Sequence, residues 1–190
     1  ELRKAIYLRL RATFQFTNEV LLFQEVDNHT RYGANIYGAN KDDVSFLSIS
    51  NLFIPQTIDF CFAHNGQGDV PGIKEEIISA SGNPRSVWCF EGHKDRIIQV
   101  TEKELALFAQ LYDEEGTEPL AARLPALHAQ QLLAVLEKFA AQPQRLGDLQ
   151  GEYFATYMFD ETAAQREKII RRVTTFPTDA SQWVLSGPHF

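Results

Sequence analysis

The sequence predicts an α+β fold with mainly antiparallel strands in its N-terminal half, two amphipathic helices packed on them, and further mixed α/β structure at the C-terminus. Apolar and polar residues alternate through much of residues 14–62, which is typical of half-buried strands. From about residue 101 to residue 143 the apolar period becomes helical. The composition, 44% hydrophobic and 23% charged over 190 residues, is that of one globular domain. We therefore expect a single domain over 1–190, with a strand-rich part (1–100), a helical part (101–150) and a mixed part (151–190).

The strand-rich part is predicted to begin after a helix. Residues 1–12 mix arginine and lysine with leucine and isoleucine in a pattern that fits a helix entering the fold. Strands are then expected around Phe14–Phe16, Tyr32–Ile36 and Ile58–Phe62, where apolar side chains alternate with polar ones. Residues 27–29 and 38–43 tolerate turn geometry, so antiparallel meander connections are favoured over crossover helices.

The next segment is rich in residues that interrupt regular structure. Residues 64–86 contain four glycines and two prolines around a short amphipathic piece at 73–78, which predicts a long connection. Val87–Val100 then predicts two short strands joined by a polar turn at 91–95. Gly92 suits the tight geometry that this turn requires.

Two helices are expected in the helical part. Thr101 and Glu104 have the spacing of a capping box, so the first helix should begin there and stop near Gly116. The second should run from Pro125 to Pro143. Their buried faces are predicted to carry Leu105, Phe108, Leu111 and Tyr112 in the first helix, and Leu127, Leu132, Val135, Leu136 and Phe139 in the second. Further on, 153–159 alternates like a strand, and 161–172 is predicted to be a charged helix or a helix followed by a strand, ending before Pro177.

Composition also excludes several classes of protein. The formal net charge of −7 argues against a protein that coats nucleic acid non-specifically. No apolar run approaches the roughly 18 residues needed to span a bilayer, so no membrane partner is expected. Cys61 and Cys89 lie in apolar stretches without metal-ligand spacing, and we expect buried free thiols in a protein of the reducing cytoplasm.

The polar motifs of the chain do not form a recognisable catalytic or metal site. Adjacent carboxylates occur at 42–43, 113–115 and 160–161, and solvated surface charge is their favoured interpretation. The histidines share no zinc-like spacing with each other or with cysteine. Packing roles are therefore favoured for His93 and His189, and a half-buried position for His128. We expect no catalytic, cofactor-binding or metal-binding residues.

Positive charge is the remaining feature that indicates a function. Four cations fall within seven residues at 166–172, and if this segment is helical, two of them stand four residues apart on one side. Such a face could follow a phosphate backbone, and the alternative is a solvated helix face balanced by Glu161 and Glu167. With two further cations near Trp88, the predicted DNA-binding residues are Lys94, Arg96, Arg166, Lys168, Arg171 and Arg172.

Three stretches resemble a known family. They are 14–38 (Phe-Gln-Phe-Thr-Asn-Glu to Asn-Ile-Tyr-Gly), 86–101 (Ser-Val-Trp-Cys-Phe-Glu-Gly-His to Val-Thr) and 183–190 (Trp-Val-Leu-Ser-Gly-Pro-His-Phe). Together they resemble the middle of large bacterial adenine-N6 DNA methyltransferases of the single-chain restriction-modification and phage-exclusion type. The resemblance implies that the chain is a fragment of a longer enzyme, and that the parent uses S-adenosylmethionine.

The resemblance also implies where the chemistry of the parent would lie. The glycine-rich cofactor loop and the Asn/Asp-Pro-Pro-Tyr/Phe catalytic loop of such enzymes are missing from this sequence, so both would lie upstream in the parent. The leading hypothesis is a non-catalytic segment that helps to position or recognise duplex DNA. The alternatives are a protein-interaction module with an acidic surface and a hydrolase with an unrecognised carboxylate site.

Overall fold

The fold is α+β, as the sequence predicts. The computed structural model describes residues 2–79, 82–149, 151–152, 160–171 and 178–179, and the chain divides into two compact units, Glu1–Pro143 (unit 1) and Gln144–Phe190 (unit 2). The boundary falls inside the predicted helical part. In chain order the elements are α1 (Leu2–Tyr7), β1 (Leu10–Thr17), β2 (Arg31–Tyr37), β3 (Ser45–Leu52), α2 (Gln56–Ala63), β4 (Lys74–Ile78), β5 (Pro84–Trp88), β6 (Ile98–Thr101), α3 (Glu102–Tyr112), α4 (Gln131–Ala140) and α5 (Glu161–Arg166).

A four-stranded sheet in the order β2-β1-β3-β6 forms the centre of unit 1. The β1–β2 and β3–β6 pairs are antiparallel, whereas β1 and β3 are parallel. The predicted meander is therefore wrong, because β3 joins the side of β1 that β2 leaves open. β3 itself is not among the predicted strands, although it lies between two others and most of its residues are buried.

The segment predicted as a third strand, 58–62, is helical. It lies in α2, where the buried residues are Thr57 and Cys61, four residues apart. That spacing fits one face of a helix. The alternating aromatics that indicated a strand, Phe60 and Phe62, are instead about half exposed.

The two strands expected in 87–100 do not pair with each other. β5 pairs with β4 in a separate antiparallel hairpin, and β6 joins the main sheet. The hairpin also shows that 64–86 is only partly a connection. Gly92 is explained by packing rather than by a tight turn, since a Cβ at this position would overlap the backbone of Phe60 and Cys61 in α2.

The first helix of the helical part follows its predicted capping signal. The Glu104 carboxylate accepts from the Thr101 backbone N–H at 2.9 Å, and both halves of the capping box are present. Leu105, Phe108 and Ala109 are buried. The predicted stripe is wrong at Tyr112, which is 41% exposed, because the helix ends at this residue, before Gly116.

The second helix is shorter than predicted and uses a narrower face. α4 begins at Gln131, not at Pro125, and packs Leu133 and Leu136 against the core. The remaining predicted face of the helix, consisting of Leu132, Val135 and Phe139, is 39–58% exposed. The prediction that Leu132 and Phe139 belong to the buried face of this helix is therefore wrong. Only one edge of the apolar stripe packs against the core.

Apolar clusters cover both faces of the main sheet. One joins Phe46, Ile98 and Val100 of the sheet to Leu105 and Phe108 of α3. The other contains Phe14, Phe16, Ile49 and Leu52 together with Cys61 of α2. Cys61 and Cys89 are both free and buried, as predicted.

A single amide organises the long loop between β1 and β2. Asn18 is fully buried, and its Nδ2 donates to the backbone oxygens of Phe23 and Val26, each at 2.9 Å. Its Oδ1 accepts from the Phe23 N–H at 3.0 Å. Asn18 belongs to the first stretch that carries the family resemblance, and its role in this structure is to fix the loop.

Unit 2 contains one short α-helix among its described residues. α5 ends at Arg166, and Lys168 has a left-handed φ of 60°. Of the two predicted alternatives for 161–172, a continuous helix is therefore wrong beyond Arg166, and Arg172 lies outside the described residues. The predicted strand at 153–159 and the stretch 183–190 lie outside the described residues. Within the described ranges, no helix has the length and apolar content needed to cross a bilayer.

The difference between α3 and α4 predicts unequal effects of the same substitution. Leu105 is fully buried and Leu132 is 39% exposed. Leu105→Ala should lower the free energy of unfolding by about 2–5 kcal/mol through lost burial and a residual cavity. Leu132→Ala should change it by less than about 1 kcal/mol, since little buried surface is removed. Urea denaturation of both variants measures the two values, and equal losses would contradict this packing.

Candidate functional site

One face of the main sheet has a polar half that none of the described helices covers. β1, β2 and β3 place small or polar residues side by side there, with Thr13 opposite both Asn35 and Ser48, and Gln15 opposite Gly33. They form a cleft of about 280 Å³ whose outer wall is Leu124–Pro125. The lining residues are Thr13, Gln15, Arg31, Tyr32, Gly33, Asn35, Ser48, Ser50, Leu124 and Pro125.

Hydroxyl, amide and guanidinium groups line this cleft, and each of them can donate hydrogen bonds. The Thr13 hydroxyl donates to Asn35 Oδ1 at 2.7 Å, which directs the Asn35 amide nitrogen away from Thr13. In the part of the chain that the structure describes, the side chains of Gln15, Arg31, Ser48 and Ser50 have no hydrogen-bond partner. Ser48 and Ser50 are 5% and 3% exposed. Neither hydroxyl is among the fully enclosed polar atoms without a partner in the described structure, so both retain some access to the cleft.

The charge among the lining residues of the cleft is positive. Arg31 is an exposed cation among its lining residues, and none of the lining residues is a carboxylate. Gly33 leaves space beside Gln15, since an added Cβ would meet only the Phe14 backbone oxygen at an ordinary 3.7 Å. An anionic ligand is therefore better suited to the cleft than a cation.

A buried arginine lies behind this cleft. Arg96 is 1% exposed, and its guanidinium donates to the backbone oxygens of Glu91 at 2.8 Å, Ser50 at 3.1 Å and Asn51 at 3.1 Å. Burial lowers its pKa from the ordinary value, but arginine stays protonated at any working pH. No carboxylate among the described residues forms an ion pair with it.

Arg96 cannot contact DNA as predicted, because its guanidinium is enclosed and its Nη1 and Nη2 donate to backbone carbonyls. Lys94, two residues earlier, is exposed, so its ammonium remains accessible. The sequence shows a charge of the same sign at both positions and does not distinguish a surface cation from a buried one.

The other predicted cations belong to unit 2. Arg166, Lys168 and Arg171 are exposed, and none forms an ion pair with a described carboxylate. Glu161, expected to balance them, accepts a hydrogen bond from Gln165 at 2.8 Å instead. Because the chain leaves the helix after Arg166, Lys168 has no i,i+4 partner on a common helix face. Arg172 lies outside the described residues.

Two histidines pack together beside the C-terminal end of α2. The rings of His64 and His93 are 4.1 Å apart. His93 is 1% exposed and its Nδ1 accepts from the Asp95 N–H at 3.1 Å, which assigns packing to it, as expected. The described residues contain no group of three or more His, Cys, Asp or Glu side chains arranged for a metal ion.

His128 is half-buried, as predicted, but precedes α4. Its Nε2 lies 2.7 Å from the Pro71 backbone oxygen, so Nε2 carries the proton in the neutral ring and Nδ1 does not. Nδ1 is buried without a partner in the described structure. Burial lowers the pKa of His128.

The residues of the polar cleft were missed by sequence reasoning. A usable signal was present in β1, where Thr13 and Gln15 alternate with buried apolar residues and so share one face. Ser48 and Ser50 gave none, because β3 was not recognised as a strand.

Comparison with known proteins adds no family: no protein-family model, no curated protein and no solved structure matches this chain. The resemblance to adenine-N6 methyltransferases therefore stays a prediction.

Arg96 should contribute strongly to stability. Arg96→Met removes the donor of three backbone carbonyls and should lower the free energy of unfolding by at least about 2 kcal/mol, since buried acceptors would lose their partner. Lys94→Met, at an exposed position nearby, should stay within about 0.5 kcal/mol. Urea denaturation compares the two. A stable Arg96→Met variant would refute the structural role.

His128 should make stability depend on pH. Because burial lowers its pKa in the folded protein below the ordinary histidine value of 6.5, the unfolded chain binds the proton more readily. Its contribution is therefore complete above about pH 6.5 and is lost as the pH falls through and below this value. His128→Gln preserves a donor towards Pro71 without titrating. The difference in unfolding free energy between the wild type and this variant should change between pH 7.5 and pH 5, and a constant difference would contradict the assignment.

Proposed function

We propose that this chain is a non-catalytic segment of a bacterial adenine-N6 DNA methyltransferase, and that it helps to position duplex DNA. The proposed phosphate contacts are made by Arg166, Lys168 and Arg171 of unit 2, with Arg172 beside them in sequence. The parent enzyme would supply S-adenosylmethionine binding and catalysis through other parts of its chain.

The observation that carries this proposal is the accessibility of the unit 2 cations. An acidic protein repels DNA over most of its surface, so positive potential has to be local for a phosphate backbone to approach. Arg166, Lys168 and Arg171 are exposed, and within the described residues none of them is held in an ion pair that phosphate would have to displace. Phosphate contacts of this kind position a protein without reading sequence.

The proposed role does not require the helical geometry that the sequence suggested. Lys168 takes a left-handed backbone conformation directly after α5, so the cations lie on a helix end and the turn that follows. Flexible lysine and arginine side chains can contact phosphates from such a turn. Lys94 of unit 1 is exposed and is a further candidate contact.

A protein-interaction module is the second candidate. It is favoured by the exposed apolar stripe of α4, where Leu132, Val135 and Phe139 are 39%, 43% and 58% exposed. Adjacent exposed apolar side chains of this kind often mark a protein–protein contact. The two candidates differ in their response to salt, since binding to DNA releases counterions.

The DNA proposal predicts a salt-dependent effect of removing the cations. The variant Arg166→Gln/Lys168→Gln/Arg171→Gln should bind a short duplex more weakly, and the slope of log affinity against log salt should fall in magnitude by up to about 3. The loss should be similar for unrelated duplex sequences. Fluorescence anisotropy between about 50 and 200 mM salt measures both quantities.

A matched control separates local contact from overall charge. Lys4→Gln/Lys103→Gln/Lys138→Gln removes the same positive charge from unit 1, where Lys4 and Lys103 already pair with Glu118 and Glu137. This control should retain the wild-type slope. If both triple variants bind alike, the unit 2 cations are a solvated surface and the interaction module becomes the leading candidate.

A further inference from the structure

The polar cleft is lined entirely by residues of unit 1 and has the properties of a ligand site. Three adjacent strands contribute its floor, so the lining groups are held by main-chain pairing and not by a flexible loop. Sites on regular elements are held more precisely than sites on loops. Leu124 and Pro125 add an apolar wall on one side.

We propose that this cleft binds the phosphate group of a phosphate ester, with Arg31 as its cationic contact. The guanidinium forms charge-assisted hydrogen bonds to phosphate oxygens. The hydroxyls of Ser48 and Ser50 and the amides of Gln15 and Asn35 donate from the cleft surface. The wall formed by Leu124 and Pro125 contacts the organic part of the ester.

The donor arrangement distinguishes phosphate from other small ligands. The Asn35 amide is oriented by the Thr13 hydroxyl, so its nitrogen is available as a donor. Donors therefore come from β1, β2 and β3 in different directions. A tetrahedral phosphate offers acceptor oxygens in different directions, whereas a cation would meet no carboxylate ligand among the lining residues.

The buried charge of Arg96 supports an anion at the same place. Its guanidinium donates to the Ser50 backbone oxygen at 3.1 Å, and Ser50 lines the cleft. Arg96 has no ion-pair partner among the described residues. Its positive charge is therefore not neutralised locally, and it acts from behind the cleft through a medium that screens charge less than water.

Gly33 offers a direct test because it lines the cleft. An added Cβ would have ordinary contacts, and its backbone is not left-handed, so Gly33→Val should be accepted by β2. This variant fills the cleft without changing charge, whereas Arg31→Gln removes charge without filling it. Lys138→Gln, at an exposed position of α4, is the charge-matched control.

The experiment is a calorimetric titration with deoxyadenosine 5′-monophosphate, repeated with inorganic phosphate as competitor. The wild type should bind the nucleotide saturably, and Arg31→Gln and Gly33→Val should each weaken binding at least tenfold. Lys138→Gln and the unit 2 triple variant should bind like the wild type, which separates this site from the proposed DNA contacts. Circular dichroism and thermal unfolding establish that each variant is folded.

A parallel titration with duplex DNA identifies the source of the phosphate. If nucleotide and duplex binding both depend on Arg31 and Gly33, the cleft accepts a phosphate ester from either source. If only duplex binding depends on them, the phosphate is supplied by a DNA backbone. The proposal is overturned if neither probe depends on both positions, or if Arg31→Gln and Lys138→Gln weaken binding equally.

Discussion

The buried guanidinium of Arg96 connects segments that are distant in sequence. It donates to Ser50 and Asn51 at the end of β3 and to Glu91 in the segment leading to β6. Asn51 has a left-handed φ of 57°, and carbonyls in such irregular backbone lack regular ladder partners. One side chain therefore satisfies backbone acceptors that the sheet leaves open, and it fixes the position from which the chain enters β6 and α3.

The fold class and the best local signals were predictable from the sequence, because they depend on neighbouring residues. The capping box of Thr101 and Glu104 is complete within four positions, and the alternation in β1 follows from the pleat of one strand. Strand order was not predictable, since nothing near β3 encodes its parallel pairing with β1. α2 was misread because the alternation of Phe60 and Phe62 says nothing about which residues a partner buries.

In the candidate sites, too, local features were predictable from the sequence and features that depend on distant residues were not. The sequence identified positively charged residues but gave no sign that Arg96 is enclosed while Lys94 is exposed. Exposure depends on whether distant carbonyls surround a side chain, as those of Ser50 and Asn51 do here. The polar cleft depends on three strands whose residues are far apart along the chain, so its donors become one surface only after the strand order is known.

The close approach of the 91–93 segment to α2 restricts what related proteins can contain. Any chain with this packing must leave the position of Gly92 without a side chain, because the neighbouring atoms belong to a backbone and cannot move aside. An arginine four residues later would still be needed to bind the three carbonyls. Glycine and arginine at this spacing, following a helix with a small buried residue like Cys61, form a pattern by which remote relatives could be recognised where overall sequence similarity is lost.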